Sequence, residues 1–218
     1  SKGINDGVKG LRIAWSPDLG YADVDPEIAS IVADAIPVFS ELGANVENCD
    51  PGFDDPTPIF RVLWWIGAQA ATLSMSEEDM ARLEPALRDL IEESRELSLK
   101  DNLNATLARA ALGQMMNHFH DQFDLLVTPT LAVPAFTAGQ LDPKGDDDPL
   151  RWLRWTPFSY PFNMTGQPAA TVPCGFTADG LPVGLHIVGP MHRDDLVLRA
   201  ARAFEAASPQ NMRPTFAD

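Results

Sequence analysis

Five prolines between residues 157 and 182, followed by a glycine-spaced apolar run, constrain this chain more than any other stretch. Proline has a fixed φ and no amide hydrogen, so it is admitted at helix starts, at strand ends or edges, and in turns. Thr156-Pro157 as a cap and first-turn proline, with Gly166 as the stop, predicts a short helix or turn. Ala169-Ala-Thr-Val172, bracketed by Pro168 and Pro173, predicts a short strand. Asp179-Gly180 supplies turn chemistry, and Pro182-Val-Gly-Leu-His-Ile-Val-Gly189 reads as the returning strand, with Gly184 at a close backbone approach.

The upstream chain supplies elements for that hairpin to join. Leu11-Arg-Ile-Ala-Trp15 alternates as a strand does, and Asn45-Val-Glu-Asn-Cys49 is a second short strand. Between them Asp25-Pro26-Glu27 is a cap, a first-turn proline and an acidic first turn. Ile28, Val32, Ala35, Phe39 and Leu42 then recur at helical spacing up to Gly43, with a kink due at Pro37. A strand, helix and strand in succession predict a parallel pair.

Residues 59–74 are apolar on nearly every side and include Trp64-Trp65, which predicts a helix buried on more than one face. Ser76 opens a polar, acidic helix, and Pro85 ends it or opens another. Leu103, Leu107, Ala111, Met115 and Phe119 predict the apolar row of a long amphipathic helix over 99–123. Asp124-Leu-Leu-Val-Thr-Pro-Thr130 reads as a buried parallel strand. Residues 132–155 are irregular, and Trp152, Leu153 and Trp155 are expected to hold them against the body. Asp194 should cap a last helix through Leu196, Ala200, Ala203 and Phe204, ended by Ser208-Pro209. The expected architecture is α/β, a mixed β-sheet flanked by helices. We read residues 1–218 as a single domain in which 76–123 form a mainly helical segment.

Charge narrows the partners. A net charge of -15 argues against nucleic acid and anionic membrane, both of which call for clustered Lys and Arg. No apolar run approaches membrane length, no signal-peptide core is present, and Cys49 and Cys174 make no disulfide framework. A cytoplasmic protein is expected.

The hairpin region, Asn163, Gly166, Pro168, Pro173, Gly175 and then Gly180-Leu-Pro-Val-Gly-Leu185, Ile187 and Gly189, resembles the C-terminal part of amidase signature enzymes. Leu11-Arg-Ile-Ala14, the Asp25-Pro26-Glu27 helix start and Asp124-Leu-Leu-Val-Thr-Pro-Thr130 resemble the same family, so the likeness spans most of the chain. The resemblance implies a serine nucleophile, a second serine in a cis peptide that relays the proton, a lysine base and backbone donors for the oxyanion. This chain has no Ser-Ser pair, no Gly-Gly pair and only four lysines, Lys2, Lys9, Lys100 and Lys144, none in the family's context. No catalytic residue is therefore carried over. What the resemblance leaves here is a substrate-pocket wall, with Thr128, Thr130, Phe158, Tyr160 and Asn163 as substrate-binding residues. Trp152, Trp155, Phe158 and Tyr160 suit an apolar or aromatic group.

Other chemistry-bearing residues read as structural. Cys174 and His186 fall on the two strands of the hairpin as a thiol and an imidazole, but no third residue orients them and a buried Cys is by default inert. His118 and His120 stand two apart on a helix, about 200° round its axis, too divergent for one metal ion. Asp146-Asp-Asp148 lacks the alternation and distal Glu of a calcium loop. Asn104 and Asn163 start glycosylation sequons within predicted helices and are set aside. We expect no metal and no cofactor.

Two functions of different class follow. In one, the chain is the C-terminal portion of an amidase that hydrolyses a small-molecule amide with a serine upstream, and is inactive alone. In the other it is a non-catalytic α/β binding module, or a component like the A subunit of a glutamine amidotransferase. In either case an apolar face left for the missing N-terminal half predicts a homodimer.

Overall fold

The computed structural model describes residues 3–143 and 152–210. Five strands form one mixed sheet in the order β2-β1-β3-β5-β4. β1 (Arg12–Trp15) pairs in parallel with β2 (Asn45–Asn48) on one side and β3 (Leu125–Pro129) on the other. The expected parallel pair is thus present. β3 then pairs antiparallel with β5 (Pro182–Val188), which pairs antiparallel with β4 (Ala169–Phe176). The sheet changes from parallel to antiparallel at β3, whose five residues are all buried.

Alternation along the strands splits the core between two faces. Ile13, Trp15, Leu125, Val127, Leu185 and Ile187 face α1 (Pro26–Ala35), α2 (Pro37–Glu41) and α8 (Asp194–Ala207). Ala14, Leu126 and Val188 face α3 (Thr57–Thr72), α5 (Pro85–Ser94), α6 (Leu99–Gln122) and α7 (Tyr160–Thr165). The short α4 (Glu77–Ala81) links α3 to α5 and buries no residue. No helix among the described residues is long and apolar enough to cross a membrane.

Local chemistry explains the boundaries. Asp25 accepts from the amides of Glu27 and Ile28, and Pro37 divides the predicted helix into α1 and α2 at Ile36. Ser76 caps α4, Pro85 opens α5, and Ser98 with Asp101 forms a capping box on α6. Gly166 ends α7 at φ 74°, and Gly180 turns the β4–β5 hairpin at φ 78°. Arg12 ties β1 to the start of β3: its amide donates to Asp124 at 2.7 Å and its guanidinium lies 3.2 Å from the same carboxylate.

Five expectations change. β4 does not stop at Val172. It runs through Pro173 with a register irregularity before Gly175, tolerated because β4 is an edge strand and loses no ladder donor there. Thr156 does not cap α7; its hydroxyl donates to Trp152 O, and Ser159 stands at the cap without a side-chain bond. Asp194 is the first residue of α8 rather than its cap, which is Arg193. In α3 only Trp65 is fully buried, because the helix lies on the outside of the helical layer. In α6 the predicted row is reversed: Ala105, Leu112, Met116 and Phe119 face the core. Of the predicted row only Phe119 is buried. Leu103, Leu107, Ala111 and Met115 are exposed. Asp146 to Asp148 lie outside the described residues.

Candidate functional site

Three helices, α3, α5 and α7, and one connecting segment build an aromatic cleft of about 560 Å³. Phe60 and Trp64 stand one turn apart on α3 and so share a face. Trp152 and Trp155 come from the segment before α7, and Tyr160 and Asn163 from α7 itself. The rings brace one another: Phe60 stacks on Tyr160 at 4.9 Å, and Trp64 meets Trp152 edge-on at 5.6 Å. Trp155 is fixed by its Nε1 donating to the carbonyl of Leu141, another residue of the lining, at 3.0 Å.

Few polar groups reach this cleft. Thr156 is spent on Trp152 O, and Glu84, the charged residue of the lining, accepts from the Leu87 amide at 3.0 Å as the cap of α5. Ser159 and Asn163 make no side-chain hydrogen bond among the described residues, so their donors and acceptors remain for a ligand. An apolar cavity with a few convergent polar groups is the usual form of a small-molecule site.

Tyr160 also looks the other way, into a polar cavity of about 140 Å³ lined by Tyr21, Asp55 and Thr57. Thr57 Oγ1 gives its one proton to Asp55 Oδ1 at 2.6 Å, so at 2.7 Å it accepts from the Tyr160 hydroxyl. Tyr21 donates to Pro157 O at 2.6 Å. Burial first, and then the neighbouring Tyr160 hydroxyl, push the Tyr21 phenol far up. Burial raises Tyr160 as well. Both phenols stay protonated near neutral pH, which makes them anchors for the cleft wall rather than bases.

Of the five residues nominated from sequence, Tyr160 and Asn163 line the cleft. Phe158 is fully buried in the same cluster of side chains, outside the lining. Thr128 and Thr130 gather elsewhere. Thr128 is buried opposite His186 and donates to Pro129 O, and Thr130 bonds Thr171 at 2.6 Å across Gly184. A Cβ on Gly184 would lie 2.7 Å from both threonine hydroxyls, which is why the strand carries glycine there. Sequence reasoning missed Phe60, Trp64 and Ser159 as lining residues. The i, i+4 pairing of two large rings on α3 was the available signal, read instead as core.

No nucleophile is assembled among the described residues. No histidine or lysine there hydrogen-bonds a serine, threonine or cysteine. Ser16 bonds Asp50 at 2.5 Å but is completely buried, and Ser94 donates to Ile91 O. Cys174 and His186 point to opposite faces of the hairpin, the thiol into the α1–α8 side and the imidazole against Phe162. Burial raises the Cys174 thiol to about 11 and lowers His186 to about 4. His118 is exposed beside Asp121, whereas His120 Nδ1 lies 3.1 Å from Phe123 O, so the two rings do not converge.

Comparison with known proteins agrees with this outline. The model of the Amidase family matches residues 2–198. An acylamidase from Rhodococcus erythropolis is 38% identical over 207 residues, 93% of this chain and 43% of that protein. An amidase from Pseudomonas putida is 30% identical over 219 residues, 98% of this chain and 46% of its own length. The crystal structure of a bacterial aryl acylamidase of the amidase signature enzymes superposes with a TM-score of 0.82 at 32% identity, covering 95% of this chain and 45% of that one. The chain thus spans a little under half the length of the relatives it matches. With the mixed sheet, the flanking helices and nearly the whole sequence in agreement, this chain belongs to the amidase signature family.

Proposed function

We propose that this chain is the C-terminal portion of an amidase that hydrolyses the carbon–nitrogen bond of a small-molecule amide, releasing a carboxylic acid and ammonia or an amine. The serine nucleophile, its serine relay and its lysine base lie upstream, in the part of the relatives' length that this chain does not span. The reading rests on one observation. A chain matched by the family over residues 2–198 contains neither the Ser-Ser nor the Gly-Gly pair that the chemistry requires. Alone it therefore does not turn over substrate.

Its contribution is the pocket wall. Phe60, Trp64, Trp152, Trp155 and Tyr160 offer ring faces and edges to an apolar or aromatic group, and Ser159 and Asn163 offer hydrogen bonds to its polar end. Two relatives are named an acylamidase and an aryl acylamidase, and an aryl group on the substrate fits a cleft of this lining. Phe158 supports the wall from the core. Thr128 and Thr130, with their hydroxyls bonded to Pro129 O and Thr171, support the sheet face that carries α7 rather than the cleft itself. We assign the activity to the cytoplasm, in keeping with two free cysteines.

A serine-directed fluorophosphonate probe tests the reading. The chain alone should not label, and a chain extended upstream through the family's nucleophile should label and hydrolyse an anilide. Labelling of the chain alone, or an extended chain inert toward a broad amide panel, would overturn it. The second result would favour a binding module.

A further inference from the structure

Two walls of the aromatic cleft meet on one side chain. α3 supplies Phe60 and Trp64, and α7 supplies Tyr160 and Asn163. Tyr160 is the first residue of α7 and only 3% exposed, and α3 holds it twice. Phe60 stacks on its ring at 4.9 Å, and Thr57 takes its hydroxyl at 2.7 Å. Thr57 and Phe60 stand three apart on α3 and are neighbours on its surface. Thr57 lies outside the cleft's lining, in the polar cavity on the far side of Tyr160.

Asp55 fixes the direction of these bonds. A carboxylate only accepts, and Asp55 Oδ1 takes both the amide of Thr57 at 2.9 Å and its hydroxyl at 2.6 Å. Thr57 therefore meets Tyr160 with lone pairs and no proton. Tyr21, the other phenol of that cavity, gives its proton to Pro157 O and has none for Tyr160. The donors run from Tyr160 to Thr57 to Asp55, and taking the acceptor from a buried phenol is the costly way to lose a hydrogen bond.

α7 cannot set its own position. Its six residues make less than two turns, Ser159 caps it with no side-chain bond, and its far end is tied by Arg109 donating to Met164 O at 2.8 Å. Asn163 stands about one turn on from Tyr160 and on the same side, so the hold on Tyr160 also aims the cleft's unspent amide. On the reading of this cleft as the substrate-pocket wall, we propose that Thr57, backed by Asp55, is a positioning residue. It fixes Tyr160, and through it α7, so that Asn163 and the Tyr160 ring meet the substrate at a set distance from Phe60 and Trp64. Thr57 itself touches no substrate.

Hydrogen exchange read by mass spectrometry on the chain alone tests the position without a ligand. Thr57→Val keeps the shape and removes the acceptor, and should lower protection over residues 160–166 roughly threefold to tenfold while residues 105–119 stay unchanged. Thr57→Ser should restore it. Tyr160→Phe should lower it to the same degree, and adding Thr57→Val to Tyr160→Phe should lower it no further. In the chain extended upstream, with p-nitroacetanilide, Thr57→Val should raise KM by a similar factor at unchanged kcat, whereas mere loss of folded protein would lower the apparent kcat at unchanged KM. Protection indifferent to Thr57→Val, a Thr57→Ser variant as loose as Thr57→Val, additive losses, or a fall in kcat alone would each overturn the positioning role. An extended chain inert toward every amide would overturn the amidase reading instead, and the exchange pattern would still decide the role of Thr57.

Discussion

Protonating His186 should cost this fold stability well above the pH at which its carboxylates titrate. The ring lies on β5 between Thr128 and Thr171 in register, 5.7 Å from Phe162, and its Nδ1 is sealed without a partner. Burial pulls its pKa from 6.5 to about 4. Because the folded value lies below the unfolded one, the native state resists the proton. Stability is whole above about pH 6.5 and drains as the pH falls toward 4. At about 1.4 kcal/mol per unit the full loss is about 3 kcal/mol, most of it gone by pH 5. That is a large part of a net stability of about 5–15 kcal/mol. Replacing His186→Gln keeps a polar side chain of similar reach without the titration. Urea unfolding of both proteins between about pH 7.5 and 5 isolates the imidazole, since all other groups titrate alike. The wild type should lose about 2 kcal/mol more than the variant over that span. Parallel stability curves would refute the reasoning, for they would mean the imidazole is solvated or partnered.

Two further outcomes follow from the packing. Gly184→Ala forces a methyl group to within 2.7 Å of the Thr130 and Thr171 hydroxyls and should cost about 1–3 kcal/mol in urea unfolding; an unchanged midpoint would remove the steric account of that glycine. Phe204→Ala empties a completely buried site beside Phe39, 5.3 Å away ring to ring, and should cost about 3–5 kcal/mol, a loss that thermal unfolding would detect.

Local chemistry made much of this fold legible. Asp25-Pro26-Glu27, Pro37, Pro85, Gly166 and Asp179-Gly180 each act through backbone geometry or an amide a few residues away, and each predicted boundary lies where its residue requires. The alternating strands at 12–15 and 182–188 were readable for the same reason. Where the outcome depended on a neighbour distant in sequence, the reading failed. Pro173 reads as a strand end until β4 is known to be an edge, which a sheet order alone can say. The row of α6 was misassigned because apolar residues wind round much of the helix, and periodicity cannot tell which side meets α3 and α7.

The candidate site divides the same way. That this chain is built as part of an amidase signature fold, and that it lacks that family's serine pair, is written in its sequence, because the motifs and their absence are local. Only the tertiary structure brought Phe60 and Trp64 of α3 against Tyr160 and Trp152 from nearly a hundred residues away, and sent Thr128 and Thr130 to the sheet beside His186. A pocket is made by surfaces that meet after folding, and the packing of α3 against α7 sets which rings share it. The sequence names the residues able to line a wall; the sheet and its helices decide which of them face the same space.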